Sequence, residues 1–372
     1  MASRTDNKRT VAGEVTPGVT AGAGAHEDAK VFRPSPIGWA ARASFLLVVF
    51  GGLLVLPLIL PGYRTFQYSY ALIFAIVGLS VNVLSGYAGQ ISLGHQAFVG
   101  VGAFVSGNLV SEQHLSFWLA LPLAAVSGGV AAGLLGLVAL RLRGLYLALV
   151  TLAYGAVATA SIFEIKSLTR GGAGMPAPRP AGFTSDRAYT YLVLGVFALV
   201  LWVDWRLVRS KVGRALFALR ENEQVAASFG IDVTLYKVLA FVLSGFFAGV
   251  AGSLFAHWRT TVVASDFDFI LALTFVLMAV VGGLGSRAGV VIGSAFFALL
   301  PVLLGTVTVK PFGLLALWVT AFGAALLLIT LRFYPGGVGQ QIQPLVRWAS
   351  GGRLGLNSRA PAESAGGGSG VS

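Results

Sequence analysis

Residues 208–237 read VRSKVGRALFALRENEQVAASFGIDVTLYK, a long charged stretch between two apolar blocks. Residues 214–228 are good helix formers without Gly or Pro, and Gly230 stands where a left-handed C-terminal cap would fall. Basic residues outnumber acidic ones here, as is typical of cytoplasmic loops. The stretch therefore predicts a short cytoplasmic helix between two membrane spans. Such a helix is suited to docking a partner, or it simply faces water.

The composition around this stretch predicts an all-α integral membrane protein. Of the 372 residues 56% are apolar and 11% are charged, whereas a soluble domain carries about 25% charged residues. The absence of Cys excludes a disulfide framework, a thiolate zinc site and a thiol nucleophile. The net charge of +12 comes from basic residues that flank apolar segments, so the positive-inside rule explains it better than nucleic-acid binding.

Ten apolar segments predict about ten transmembrane or partly spanning helices, because about 20 helical residues cross a hydrocarbon core. The third, sixth and eighth segments are short, which indicates tilted, broken or partial spans. With both termini cytoplasmic, most of the 26 Lys and Arg fall on the inner side. We expect disordered tails at 1–36 and 344–372 and a transmembrane domain at 37–343, with its charged loop at 206–235. The segments cover residues 38–60, 66–85, 97–111, 116–140, 145–163, 189–205, 236–257, 267–283, 288–306 and 312–332.

A second unusual stretch is residues 84–94, LSGYAGQISLG, in which Gly interrupts an apolar segment. Each Gly weakens a helix by about 1 kcal/mol relative to Ala. Unwound backbone at membrane depth is tolerated where protein or a water-filled cavity satisfies it. The stretch therefore predicts a translocation path or, alternatively, a polar turn with small residues for helix packing. The candidate path-lining residues are Asn82, Gln90, Ser92, His95 and Gln96.

No catalytic or metal-binding pattern is apparent in the sequence. The four His residues lie on separate segments, and Ser92 and His95 have no acid nearby to complete a hydrolase triad. A Walker A lysine motif is absent, so ATP must be hydrolysed on another subunit. From the lack of a catalytic or metal-binding pattern we expect neither enzyme activity nor a cofactor nor a metal. The span-associated acids lie near predicted span ends, which argues against an ion-coupled carrier. These acids are Glu112, Glu164, Asp204, Asp266 and Asp268.

Several motifs, in order along the chain, resemble the permeases of ATP-binding cassette importers, most closely the LivM-type branched-chain amino-acid permeases. The resemblance covers residues 40–340 approximately and ends in FYPGGV, which departs from the family pattern in its spacing after Arg332 and in a Gly that replaces Leu. The carrying stretches are GLSVNVLSGYAGQISLGHQAFVGVGAF (78–104), RLRGLYLALVTLAYG (141–155), TRGGAG (169–174), SDFDF (265–269) and VGGLGSRAGVVIGSAF (281–296).

This resemblance implies that the charged stretch couples the permease to an ATPase. It implies a multi-pass subunit of the bacterial inner membrane that imports leucine, isoleucine and valine. Its expected partners are a LivH-like second permease, two ATP-binding subunits, an extracytoplasmic substrate-binding protein and membrane lipid, without nucleic acid. Open alternatives are the same importer for urea or another small amide or carboxylate, a secondary carrier without ATPases, and a membrane enzyme. The implied coupling residues are Gly213, Arg214, Arg220, Glu221, Glu223, Ala226 and Gly230.

Overall fold

The computed structural model describes residues 51–140, 142, 144–170 and 173–307, together with the single positions 44, 325 and 332. The predicted tails 1–36 and 344–372 lie outside the described residues. The same is true of the tenth apolar segment, 312–332, apart from two single positions. Helices lie over the other nine predicted segments, the first of them represented by α1 at residues 51–59.

The described chain is almost entirely helical. Short 3-10 turns at Ile162–Glu164 and Ala264–Phe267 and a two-stranded antiparallel ribbon interrupt the helices. The ribbon pairs β1 (Met175–Pro176) with β2 (Thr261–Val262). The helices after α1 are α2 (Gly62–Val81), α3 (His95–Ser111), α4 (Phe117–Ala139), α5 (Leu145–Ala160), α6 (Lys166–Thr169), α7 (Asp186–Arg209), α8 (Lys211–Glu221), α9 (Glu223–Ser228), α10 (Val233–Arg259), α11 (Phe269–Gly282) and α12 (Arg287–Val307).

Within the described part of the chain, 6 helical stretches are long and apolar enough to cross a membrane. Helix α7 is 24 residues long and exceeds its apolar run, because the Ser185 side chain caps its start by accepting from the Ala188 N–H. The 17-residue α3 is the short helix that the third apolar segment predicts. The six stretches are Gly62–Tyr87, Phe117–Ala139, Leu145–Glu164, Asp186–Arg209, Val233–Arg259 and Ala264–Gly282.

Helix α10 forms the centre of the bundle and packs against α2, α3 and α4. Glycines bring the backbones of α4 and α10 together, as small residues do in membrane helix pairs. A Cβ atom at Gly128 would lie 2.5 Å from the Gly245 carbonyl oxygen. On the other side, a Cβ at Gly102 of α3 would lie 2.5 Å from the Cα of Gly249 in α10. Helix α10 is therefore held in the core by backbone-to-backbone contact on two sides.

The four-residue spacing of Gly289 and Gly293 in α12 has a packing role. A Cβ at Gly293 would lie 2.7 Å from the Cα of Gly282, at the end of α11. A Cβ at Gly282 would in turn lie 2.6 Å from the carbonyl oxygen of Gly289 in α12. These glycines let α11 and α12 cross at close range.

The loop between α6 and α7 is held in place at the end of α10 that carries β2. Its β1 strand pairs with β2, and Arg179 forms an ion pair with Asp186 at 2.8 Å. Arg170 of the loop pairs with Glu112, at the end of α3. These contacts attach both sides of the loop to one end of the bundle.

Candidate functional site

The predicted break in the second span is present. Helix α2 continues into a π-helical turn, Asn82–Tyr87, and the chain then runs without helix until α3 begins at His95. Gly89 has a φ of +68°, a conformation that favours glycine. All five candidate path-lining residues are buried, at 0 to 8% exposure: Asn82, Gln90, Ser92, His95 and Gln96.

The break packs against the turn between α11 and α12. The Asn82 side-chain oxygen accepts a 2.7 Å hydrogen bond from the N–H of Gly285, whose φ is +89°. A Cβ at Gly86 would lie 2.7 Å from the same Gly285 nitrogen. Glycine at position 86 is therefore what allows the two turns to meet. Asn82 consequently has a local role in holding them together.

The charged stretch folds into two helices, which corrects the expectation of one continuous helix over 214–228. Asn222 has extended backbone, and its side-chain oxygen accepts from the N–H groups of Gln224 and Val225 at 2.9 and 3.1 Å. Asn222 therefore ends α8 and caps α9, and the sequence alone did not reveal this interruption. We call α8, Asn222, α9 and the C-cap residue of α9, Phe229, the elbow. Gly230 has a φ of +80°, which confirms the predicted C-terminal cap of α9.

The elbow is hydrogen-bonded directly to the break. The Arg220 guanidinium donates to the carbonyl oxygen of Gly86 in the π-helical turn. Glu223 forms a 2.6 Å ion pair with Lys237 of α10, and Gln90 of the break donates to the Glu223 carboxylate at 3.4 Å. Lys237 is only 4% exposed. A cleft of about 340 Å³ lies between the two segments, lined by residues 88–90 and 219–224.

These contacts divide the implied coupling residues into two groups. Arg220 and Glu223 contact the break and α10, whereas Arg214 and Glu221 lie on the exposed side of the elbow. There Arg214 donates only to the nearby carbonyl oxygen of Arg209, at 3.2 Å. Gly213 lies inside α8, where its N–H is capped by Ser210, and Ala226 is buried. The exposed side of the elbow also carries apolar groups, since Val225 is 51% and Phe229 is 82% exposed.

A buried acid that the sequence reasoning left unused connects α7 to the break. Asp204 is fully buried in the last two turns of α7. Its carboxylate accepts from the Tyr87 hydroxyl at 3.1 Å and lies 3.4 Å from Nε of Arg287, the first residue of α12. An acid inside an apolar run, between Val203 and Trp205, was the signal in the sequence. This cluster joins α7, the break and α12.

The buried histidines form hydrogen bonds between helices. His95 Nε2 lies 2.9 Å from the Ser80 hydroxyl and 3.0 Å from that of Ser244, which links α3 to α2 and α10. Towards the other end of α3, His257 Nε2 lies 2.9 Å from the Ser106 hydroxyl. His95 thus pairs with Ser80 and Ser244 rather than with Ser92, the serine considered for a hydrolase. Among the described residues no group of three or more His, Asp or Glu is arranged to hold a metal ion.

Comparison with known proteins identifies the family. The family model for the permease component of branched-chain amino acid transport systems matches residues 65–331. The chain belongs to this family. No solved structure gives a significant match.

Three named permeases are similar to this chain. The high-affinity branched-chain amino acid permease LivM of Salmonella typhimurium is 35% identical over 251 residues, which are 60% of this chain and 59% of the relative. The probable LivM of Methanocaldococcus jannaschii is 25% identical over 72% of this chain and 90% of its own length. The guanosine ABC transporter permease NupQ of Bacillus subtilis is 26% identical over 62% and 79%. The match thus spans about three fifths of the Salmonella relative. Family membership and the apolar helices make this chain a multi-pass membrane permease component.

Proposed function

We propose that this chain is one permease subunit of an ATP-driven importer for leucine, isoleucine and valine in a bacterial plasma membrane. The observation that carries the proposal is the attachment of a polar, surface-exposed elbow to a broken membrane helix through Arg220. Such an arrangement offers a route for a force applied at the surface to reach a path inside the bundle. The substrate class is taken from the LivM relatives.

The proposed topology has about ten spans in a domain covering residues 37–343, with both termini and the elbow in the cytoplasm. The end of α7 next to the elbow supports this orientation. There the Arg209 guanidinium lies 4.0 Å from the centre of the Trp205 ring, and Arg206 lies 5.5 Å from that of Trp202. Trp is typical of a membrane interface, and Arg is typical of its cytoplasmic side. The β1–β2 ribbon then lies outside, on the side from which a substrate-binding protein would approach.

The exposed side of the elbow is the proposed docking surface for an ATP-binding subunit. It presents charged Arg214 and Glu221 beside apolar Val225 and Phe229. Large apolar side chains exposed in a polar segment are typical of an interaction site. The other proposed partners are a second ATP-binding subunit, a LivH-like second permease and the binding protein. A LivH relative from Methanocaldococcus jannaschii is 35% identical to this chain over 111 residues, which supports a pair of related permeases.

In the proposed mechanism, the partner subunits hydrolyse ATP and move the elbow as they close. Arg220 transmits that movement to Gly86 in the break, and Glu223 transmits it to Lys237 in α10. The two turns that meet at Asn82 and Gly285 then shift together. The path changes its access from one side of the membrane to the other without ATP chemistry in this chain.

Purification of the tagged chain from its native membrane in mild detergent tests the proposal. We expect two P-loop ATPases and a second permease to co-purify, and we expect Phe229→Asp to lose the ATPases. The matched control is Thr234→Asp, which adds the same charge at another exposed position and should retain them. Reproducible purification of the folded wild-type chain alone, with transport in vesicles that lack nucleotide, would instead support a secondary carrier.

A nucleoside is a second candidate cargo, because one relative is named as a guanosine transporter permease. Importers of this kind also include the urea and small amide or carboxylate systems considered from the sequence. Ligand screening of the binding protein that co-purifies separates these cargoes. Preferential binding of leucine, isoleucine or valine is the expected outcome, and a preference for a nucleoside or for urea would reassign the cargo.

A further inference from the structure

One face of α7 changes from apolar to basic as the helix approaches the elbow. Its residues recur at intervals of three or four, which places them on one side of a helix. All of them are exposed, whereas Phe197 and Asp204 on the opposite side are buried in the bundle. We call this face the α7 stripe. It consists of Gly195, Leu199, Trp202, Arg206 and Arg209.

The apolar part of the stripe is suited to contact with acyl chains. Leu199 is 57% and Trp202 is 54% exposed, and no atom lies within 4 Å of a Cβ built at Gly195. Trp is typical of the membrane interface, so Trp202 marks the level at which hydrocarbon gives way to headgroups. Arg206 and Arg209 follow one and two helical turns further on, at the level of the headgroups.

The two guanidinium groups of the stripe are held close together by tryptophan rings. Arg209 lies 4.0 Å from the centre of the Trp205 ring. Arg206 lies 5.9 Å from the same ring and 5.5 Å from that of Trp202. The attraction of a cation to the face of an aromatic ring favours these positions. Because both groups lie near Trp205, two positive charges stand close together at the end of the stripe.

These two charges have no counter-ion among the described residues. None of the ion pairs formed there includes Arg206 or Arg209. The acid nearest to them in sequence, Asp204, points into the bundle, where it contacts Arg287 and Tyr87. Like charges repel one another at close range, so an anion bound beside both guanidinium groups would relieve that repulsion.

We propose that the α7 stripe binds an anionic phospholipid, with the phosphate at Arg206 and Arg209 and an acyl chain along Trp202 and Leu199. The planar fork of Arg matches the geometry of a phosphate, and basic groups next to a span attract anionic lipids. The apolar continuation of the stripe favours a lipid over free phosphate or an acidic protein segment, neither of which has acyl chains. This inference goes beyond the proposed function, because it depends on neither the cargo nor the ATP-binding subunits.

A lipid bound here holds the start of the elbow at the membrane surface. Only Ser210 separates Arg209 from α8, and its hydroxyl caps α8 by accepting from the Gly213 N–H at 3.2 Å. A Cβ at Gly213 would lie 2.7 Å from the Cα of Val208, so the corner between the two helices is tightly packed. Arg214 also donates across this corner to the carbonyl oxygen of Arg209. Fixing the end of α7 to a headgroup therefore fixes the first turn of α8 as well.

Trp202 is a natural reporter within the stripe. The chain is purified with its native partner subunits and reconstituted into phosphatidylcholine bilayers. These contain a small, equal fraction of either phosphatidylglycerol or phosphatidylcholine with brominated acyl chains, which quench tryptophan fluorescence. The emission of Trp202 is the difference between the wild type and Trp202→Phe, which retains an aromatic ring beside Arg206. Both leaflets have the same composition, so the result does not depend on the orientation of the chain.

We expect brominated phosphatidylglycerol to quench Trp202 about fivefold more than brominated phosphatidylcholine, because two basic groups enrich an anionic lipid several-fold. Arg206→Gln combined with Arg209→Gln should remove this difference. The matched control combines Arg64→Gln with Arg187→Gln and should retain it. These arginines are also exposed, and they lie at the opposite end, since α2 and α7 run parallel. Arg64 likewise lies over an aromatic ring, at 5.6 Å.

Three results would overturn the lipid site. Equal quenching by the two brominated lipids in the wild type shows unselective lipid contact, and this comparison needs no change at either arginine. Absence of quenching by both lipids shows that protein covers the stripe. A difference that persists without Arg206 and Arg209 assigns the selectivity to other residues. None of these results affects the importer function, which the co-purification and the cargo screen test separately.

Discussion

Replacing Arg220 with alanine should uncouple ATP hydrolysis from uptake without releasing the ATPases. The Arg220 guanidinium donates to Gly86 O, and the variant loses this bond. A hydrogen bond to a charged group contributes about 1.5–3 kcal/mol. Because Arg220 is an exposed residue, we take the lower end, about 1.5 kcal/mol, which corresponds to about a tenfold shift in an equilibrium. That value lies within the usual range of coupling between two sites.

The assay is uptake of radiolabelled leucine into vesicles that contain the assembled importer, measured together with ATP hydrolysis. We expect Arg220→Ala to lower the amount of leucine moved per ATP about tenfold, with normal recovery of the ATP-binding subunits. The matched control is Arg214→Ala, on the exposed side of the same helix. It should weaken recovery of those subunits and leave the ratio unchanged in the complexes that remain. The opposite pattern, or a normal ratio in Arg220→Ala, would refute the reasoning.

Two further predictions test the fold that supports this link. Arg287→Ala leaves the buried Asp204 carboxylate without its ion pair and should destabilise the protein by about 3 kcal/mol. Adding Asp204→Asn to this variant should restore part of the lost stability. Thermal unfolding of the purified complex measures both effects. Gly249→Val forces a side chain against the backbone of Ala125 in α4 and should cost about 3 kcal/mol or prevent folding. Gly195→Val, where no atom lies within 4 Å of the new Cβ, should fold normally, and equal loss of folded protein in both variants would contradict the packing argument.

Much of the fold was predictable because its determinants are local. Apolar runs of sufficient length predicted the helices, and the glycines of residues 84–94 predicted the break. Gly230 was predictable for the same reason, since a left-handed cap depends on the residue that occupies it. The interruption at Asn222 also has a local determinant, because Asn222 is a good N-cap residue and stands directly before Glu223. It was missed because the helix propensity of its neighbours outweighed one polar side chain.

The connections within the site were not predictable because they join distant parts of the chain. Arg220 lies on a short amphipathic helix, where a charge is equally compatible with solvent, a partner or the chain itself. Its acceptor, a backbone carbonyl at Gly86, has no signature in the sequence. Asp204 was noted only by its position near a span end, whereas its partners Tyr87 and Arg287 come from other helices. Only the three-dimensional arrangement distinguishes these buried contacts from surface charges.

The contact between Arg220 and Gly86 has a consequence for how the break and the elbow depend on each other. Carbonyl groups in the last turn of a helix have no partner within it, and at membrane depth each must be satisfied by protein or water. Gly86 lies in the turn that ends the second span, and its carbonyl is satisfied by the elbow. Moving the elbow away from Gly86 therefore leaves this carbonyl unpaired, at a cost of about 1–3 kcal/mol unless water enters. Because water entry at this point would hydrate the broken segment, we expect movement of the elbow and hydration of the break to occur together.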